Sequence, residues 1–249
     1  MKISFVGSGN VAYTLAHALY SKGEEILTIV SKSKQNAEYL AHALGAKGTD
    51  NINEIDPYSD IVFLCVPDDI IPDISKSISN SNIIQVHTSG TVPMLALDTE
   101  NRGVFYPLQS LTKGVEIDFD QVPFLLEANN TQVEIAIDKL ACNLSNIVRF
   151  KNSSERRNLH VAAVFSNNFT NHLLDISQKL CKENKLDFEF LKPLVIQTVA
   201  KAFSIGAKEA QTGPAIRNDM KTIGLHRELL KDKPNYLKVY DAITDSIIG

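Results

Sequence analysis

Gly7-Ser8-Gly9-Asn10-Val11-Ala12 is a G-x-G-x-x-A element, lying between the apolar run Ile3 to Val6 and a helical repeat that begins at Val11. At such a turn the first glycine permits the sharp bend and the second lets backbone approach a pyrophosphate. The alanine lets helix and strand pack closely. The N–H groups and the positive dipole end of the following helix then face the anion. Gly7, Ser8, Gly9, Asn10 and Val11 are therefore expected to bind a dinucleotide. A glycine turn of any α/β protein has the same composition, but here it stands at the first strand-to-helix turn. The residues after the second apolar run choose between dinucleotides. An NAD site would place an acid near position 31 to hold the ribose 2′-hydroxyl. This chain has Ser31-Lys32-Ser33-Lys34, with no acid before Glu38. The hydroxyls of Ser31 and Ser33 and the ammonium of Lys32 suit a 2′-phosphate, which favours NADP; a solvated, lysine-containing loop is the alternative.

Three further segments follow apolar runs: Val66-Pro67-Asp68-Asp69, His87-Thr88-Ser89-Gly90 and Tyr106-Pro107-Leu108-Gln109-Ser110. In open α/β sheets ligands bind beyond the carboxyl ends of the strands. Val66, Pro67 and Thr88 are expected on the cofactor side, with Pro67 shaping a loop against the nicotinamide ribose, and Ser89 is expected on the substrate side. Asp68 reads as a helix N-cap. Asp68 and Asp69 fit no metal-ligand spacing, so no metal is expected. His87 is either a proton donor or anion holder, or a polar strand end.

These loops need a scaffold of alternating strands and helices. Ile3 to Val6, Ile26 to Val30, Ile61 to Val66, Ile83 to Val86, Val104 to Tyr106, Phe124 to Leu126 and Ile147 to Phe150 read as strands. Between them, Val11, Leu15 and Leu19, then Ala37, Leu40, Ala41 and Leu44, then Ile70, Ile71, Ile74 and Ile78, and Val133 to Leu144 recur at helical spacing. The stretch Ser75 to Asn82 reads as a helix end and its loop. Continuous apolar strands such as Ile61 to Val66 are covered on both faces, as in a parallel sheet. The fold class expected is α/β, a Rossmann-like, doubly wound, mostly parallel sheet, followed by an all-helical C-terminal domain. After Phe150 the period changes: Leu159, Ala162, Phe165, Phe169, Leu173, Ile176 and Leu180 repeat every three or four residues, opened by Asn152 with Glu155 three residues on. A second run carries Leu191 to Ala202, and shorter helices follow Asp219 and Asn235. The boundary is placed at residues 151/152, giving domains 1–151 and 152–249.

The 249 residues are 44% hydrophobic, enough for a sizeable core. Lys and Arg number 25 against 29 Asp and Glu, a net charge of −4, which argues against nucleic acid as the partner. The longest apolar run is far short of the roughly 18 residues of a membrane span, so no membrane partner is expected. The N-terminus runs directly into a strand pattern rather than a signal peptide. Cys65, Cys142 and Cys181 form no CxxC pair, which fits a reducing cytoplasm.

With these pieces in place, the N-terminal half resembles the NADP-binding domains of pyrroline-5-carboxylate reductases, deazaflavin-dependent NADP oxidoreductases and 3-hydroxyacid dehydrogenases. The whole chain resembles a family in which a Rossmann-like domain is fused to a helical domain of unassigned function. The resemblance is carried by Gly7 to Ala12, Cys65-Val66-Pro67-Asp68, His87 to Gly90, Tyr106 to Ser110, His160-Val161-Ala162-Ala163 and Thr212-Gly213-Pro214-Ala215-Ile216-Arg217-Asn218-Asp219. That family usually has glycine where Asn218 stands and tyrosine where Leu159 stands. The 3-hydroxyacid dehydrogenases carry a catalytic lysine four residues before an asparagine; here Ala163 and Val164 precede Asn167 and Asn168 by that spacing, so another donor, or solvent, must supply the proton.

The resemblance implies an oxidoreductase passing hydride between NADP and a small, anionic carbonyl or imine substrate in an inter-domain cleft. His160 and Asn167, two helical turns apart, and His87 are the catalytic candidates. Asn168, Ser89, Arg217 and Asp219 are the substrate-side candidates, with Arg217 suited to a bidentate carboxylate contact and Asp219 either its partner or a helix N-cap. His172 is expected on the surface or at a dimer contact, and the helical domain is expected to form a homodimer. Two other readings stay open. One is a dinucleotide-binding sensor or partner-binding protein without turnover. The other is a deazaflavin-linked reductase, against which the added helical domain argues.

Overall fold

The computed structural model describes residues 1–78 and 82–249 and divides into two compact units, Met1–Phe165 and Ser166–Gly249. The first unit holds the sheet. Its strands are β1 (Lys2–Val6), β2 (Glu25–Val30), β3 (Lys47–Thr49), β4 (Ile61–Leu64), β5 (Ile84–His87), β6 (Arg102–Pro107), β7 (Phe124–Ala128) and β8 (Val148–Phe150). They lie in the order β3-β2-β1-β4-β5-β6-β7-β8. Every pair is parallel except β6 with β7. The chain is Rossmann-like, as expected, and the first six strands follow the 3-2-1-4-5-6 order of dinucleotide-binding sheets. The strand order reverses between β1 and β4, which opens the ligand crevice beyond their carboxyl ends.

The helices of this unit are α1 (Asn10–Ser21), α2 (Lys34–Leu44), α3 (Ile71–Ser77), α4 (Thr131–Leu144) and α5 (Ser153–Ala163). Ala12, Leu15, Ala16 and Leu19 give α1 its buried stripe. Gly45, left-handed at φ 66°, ends α2. Helix α3 stops at Ser77, so the rest of the serine- and asparagine-rich stretch, residues 79–81, lies outside the described residues. The aromatic rings of Phe5, Phe63, Phe105 and Phe124, one each from β1, β4, β6 and β7, form a row with centroids 5.1, 5.2 and 4.9 Å apart. All four are fully buried, each contributing about 2–3 kcal/mol by removal from water. That row stiffens the sheet under the loops that matter.

Asn152 and Glu155 form the expected capping box at the start of α5. The long helical run they open is not uniform. Val164–Phe169 is a π-helix, and α6 (Thr170–Glu183) resumes the α form. Ser166, Asn167 and Asn168 fall inside this segment, and such side chains compete for backbone hydrogen bonds. The extra residue per π turn removes the two-turn spacing expected of His160 and Asn167.

The second unit contains α6, α7 (Lys192–Ile205), α8 (Ala207–Ala210), α9 (Met220–Leu230) and α10 (Pro234–Ile248). Asp219 caps α9 as its N-cap residue, while α10 starts at Pro234, one residue before the expected Asn235. Among the described residues of this unit only Ala215 and Ile223 are buried apolar side chains.

Candidate active site

Gly7 closes β1 at φ 116°, a conformation that favours glycine. A Cβ there would meet the Cys65 carbonyl oxygen at 2.1 Å, so the residue lets β1 and β4 approach. Gly9 differs: an added Cβ would meet nothing within 4 Å. Gly9 is also the N-cap of α1, and among the described residues no side chain caps that helix end, nor does an acid stand in its first turn. Uncapped N–H groups beside open space are what a pyrophosphate needs. The Asn10 carboxamide oxygen accepts from the Lys113 backbone N–H at 3.2 Å, which ties the loop after β6 to the start of α1.

Ser8 and Ser31 are joined by a hydroxyl contact of 2.7 Å, which places the end of β2 beside the glycine loop. Lys32 is exposed. Ser33 is exposed as well, but its hydroxyl is the N-cap of α2 and accepts from Asn36 N–H at 3.3 Å. These groups fit the phosphate-rich half of a dinucleotide.

Beyond β4, half-buried Val66 and exposed Pro67 lead into a 3-10 turn, Asp68–Ile70. The Asp68 carboxylate accepts from the Thr91 hydroxyl and so links the loops after β4 and β5. Desolvation pushes the Cys65 thiol up to about 12, although its hydrogen bond with Thr88 acts in the other direction. That sulfur is a packed group rather than a nucleophile.

His87 ends β5 and is fully buried. Desolvation, with the Arg156 charge adding to it, lowers its pKa to about 4. Its Nδ1 accepts from Ser89 N–H at 3.2 Å, which assigns the proton of the neutral ring to Nε2. Nε2 closes no hydrogen bond among the described residues, although the nearby Pro93 carbonyl favours its charged form. Ser89 is buried too, and its hydroxyl accepts from Thr91 and Val92 N–H at 3.1 and 3.0 Å. Both residues shape the loop, and His87 presents no surface to a substrate.

The fold assembles here three residues, Tyr106, Gly90 and Arg156, to which the sequence assigned no role of their own. Tyr106, near the end of β6, places its hydroxyl 2.9 Å from His160 Nδ1 on α5. Both residues are half-buried. Gly90 packs directly on the pair: a Cβ would stand 2.5 Å from His160 Nδ1 and 2.9 Å from Tyr106 Cζ. Burial raises the Tyr106 pKa, and the Arg156 charge works against that rise. Arg156, one turn before His160, is fully buried; its guanidinium pairs with Glu127 on β7 and also donates to the Val92 carbonyl and, at 3.3 Å, to Ser153 Oγ. Tyr106 belonged to a quoted segment, but nothing in the sequence signalled its partner.

In the second unit Asn167 and Asn168 are exposed. Arg217 is exposed; its charge acts on the Asp219 carboxylate, although no ion pair closes between the two among the described residues. The Asp219 carboxylate instead accepts from Thr222 N–H at 3.1 Å and Thr222 Oγ1 at 2.8 Å, which lowers its pKa. Asn218 sits at φ 54°. Asparagine tolerates that region better than most residues. His226 Nδ1 lies 2.9 Å from the Tyr240 hydroxyl. Among the described residues no group of three metal-binding side chains occurs, and no helix is long and apolar enough to cross a membrane.

Comparison with known proteins agrees with this geometry. Residues 2–87 match the family described as NADP oxidoreductase, coenzyme F420-dependent, and residues 122–247 match the domain of unknown function DUF2520. No protein of curated function matches the chain. Among solved structures, the provisionally assigned NADP oxidoreductase BF3122 from Bacteroides fragilis is 36% identical, over 99% of this chain and 97% of that one, with a TM-score of 0.93. A reductive aminase from Aspergillus terreus, in complex with NADPH and ethyl-5-oxohexanoate, shares the fold at 11% identity (TM-score 0.73, 99% and 93% covered). So does pyrroline carboxylate reductase from Plasmodium falciparum with NADP bound, at 14% identity (TM-score 0.58, 100% of each chain). The chain thus belongs to the DUF2520 family of NADP-oxidoreductase-like proteins, its helical domain following an NADP-binding Rossmann-like domain.

Proposed function

We propose that the protein is an NADP-dependent oxidoreductase that transfers hydride between the nicotinamide and a small, anionic carbonyl or imine substrate. The observation that carries this reading is the uncapped start of α1 beside open space at Gly9, set at the strand-order reversal and flanked by Ser31 and Lys32. NADP supplies the hydride chemistry when bound; the chain supplies position and charge. Backbone N–H groups of Asn10 and Val11 would hold the pyrophosphate. The Lys32 ammonium and the hydroxyls of Ser31 and Ser33 would face the 2′-phosphate, and Val66, Pro67 and Thr88 would border the nicotinamide end. His160 is the catalytic candidate from the first unit, with Asn167 on the π-helical segment. Asn168 and Arg217 are the substrate-side candidates, Arg217 because its exposed guanidinium can hold a carboxylate through two hydrogen bonds.

The functional form we propose is a homodimer joined through the helical unit. Helix α7 has no buried residue among those described, and it exposes Leu194 (64%), Ile196 (61%) and Phe203 (90%). An apolar face exposed to that extent marks an interaction surface. Light scattering should give twice the 27.5 kDa chain mass; a monomeric mass removes the dimer.

A non-catalytic nucleotide sensor is the second reading, favoured by Ala163 and Val164 where related dehydrogenases carry lysine. The test is transfer of deuterium from NADPH labelled at nicotinamide C4 into a panel of 2-oxo acids and cyclic imino acids. Label in any product supports turnover, whereas nucleotide binding with no transfer to any member supports the sensor.

A further inference from the structure

We propose that Tyr106 and His160 are a proton-delivery pair, in which the Tyr106 hydroxyl protonates the substrate atom that gains charge and His160 restores that proton through Nδ1. The inference rests on the oxidoreductase reading and names the donor that reading lacks. As hydride adds to the carbon of a C=O or C=N bond, the π electrons move to oxygen or nitrogen, which takes the Tyr106 proton. The phenolate then takes the Nδ1 proton of a protonated His160, leaving a neutral imidazole that keeps its Nε2 proton, and solvent returns a proton to Nδ1. One hydride and one proton enter the substrate, and the chain returns to its starting state. In the oxidative direction each step runs backwards.

The geometry singles out this pair among the titratable groups at the strand ends. His87 is sealed and has its Nδ1 occupied, Asp68 is bound to Thr91, and the Cys65 thiol is packed against the core. Tyr106 and His160 are both half-buried, close enough at 2.9 Å to exchange a proton, and wet enough for His160 to be recharged. Three elements hold them. Gly90 leaves the space that a methyl would fill. Arg156, anchored to Glu127, presents a fixed positive charge that favours the phenolate formed during transfer. β6 and α5 fix the two backbones. Arg156 and Gly90 are positioning residues; Tyr106 is the catalytic residue proposed to touch substrate. The same bond could exist only to fasten α5 to β6, so the test must read protons rather than stability.

NADP⁺ carries a positive charge on its nicotinamide ring and NADPH does not, so a proton-loaded pair beside that ring should lose protons on binding the oxidised form. Calorimetric titration of the full chain with each nucleotide, in two buffers of unequal ionisation enthalpy, counts the protons exchanged. The expected result is proton release with NADP⁺ in excess of that with NADPH, varying with pH. Tyr106→Phe and His160→Gln should each bind both nucleotides and lose the excess. Gly90→Ala, which keeps both side chains but sets a Cβ 2.5 Å from His160 Nδ1 and so displaces the pair, should lose it too. An excess that persists at wild-type size in the variants, or its absence in the wild type, overturns the proposal. Failure of the wild type to bind either nucleotide overturns the oxidoreductase reading instead. If Tyr106→Phe does not fold, His160→Gln and Gly90→Ala decide the matter by the same readout.

Discussion

Replacing Arg156 by methionine removes the charge that fastens α5 to the sheet while keeping most of the side-chain volume. The guanidinium is fully buried, and it donates to Glu127, to the Val92 carbonyl and to Ser153 Oγ. Taking away one member of a buried ion pair costs about 3–5 kcal/mol, mainly because the other charge is left uncompensated. Here the lower end applies. The Glu127 side chain keeps 16% exposure and one hydrogen bond from Ser153 Oγ at 2.8 Å, so water and a hydroxyl take up part of the loss. A loss of about 3 kcal/mol in a unit of this size corresponds to a melting point lower by roughly 6–12 °C. Urea unfolding followed by circular dichroism measures it directly. The double variant Arg156→Met/Glu127→Met should recover much of the loss, because no lone charge remains buried. A single-variant loss below about 1 kcal/mol, or a double variant less stable than Arg156→Met, would refute the reasoning.

His87 is held neutral with a pKa near 4, while the unfolded chain protonates it near the ordinary value of 6.5. As pH falls through that window the unfolded state gains a proton that the folded state refuses. Stability should therefore drop by roughly 3 kcal/mol between pH 7 and pH 4 from this residue. His87→Gln should flatten the drop, and an unchanged pH slope in that variant would contradict the assignment. The two glycines of the first loop should behave oppositely to alanine. Gly7→Ala sets a Cβ against the Cys65 carbonyl at positive φ and should cost roughly 2–5 kcal/mol. Gly9→Ala, with open space and φ −77°, should change stability by less than about 1 kcal/mol yet weaken NADPH binding at least tenfold. Equal effects of the two substitutions on folding would show that the loop has been misread.

Local pattern carried most of the first unit into view. The apolar runs, the Asn152/Glu155 capping box and the glycine that stops α2 are all short-range signals, and each element stands within a few residues of its expected place. Strand β3 escaped because Lys47-Gly48-Thr49 has no apolar run. Its glycine is there for α2, since a Cβ would stand 2.6 Å from the Glu38 backbone. The π-helix escaped because it preserves hydrophobic spacing while changing the hydrogen-bond register. Arg156 and Arg157 look alike in sequence, and only tertiary packing buries the first and exposes the second. The Tyr106–His160 bond spans 54 positions, a separation at which spacing says nothing. The candidate site was thus legible where it is built from consecutive backbone, and hidden where it depends on side chains meeting across the fold.

The central claim is that this crevice holds NADP, and calorimetric titration of the chain with NADPH and with NADH tests it most directly. The account predicts that NADPH binds at least tenfold more tightly, and that Lys32→Glu removes the preference by placing an acid near the ribose. No binding of either nucleotide, or a preference for NADH that Lys32→Glu leaves unchanged, would contradict it.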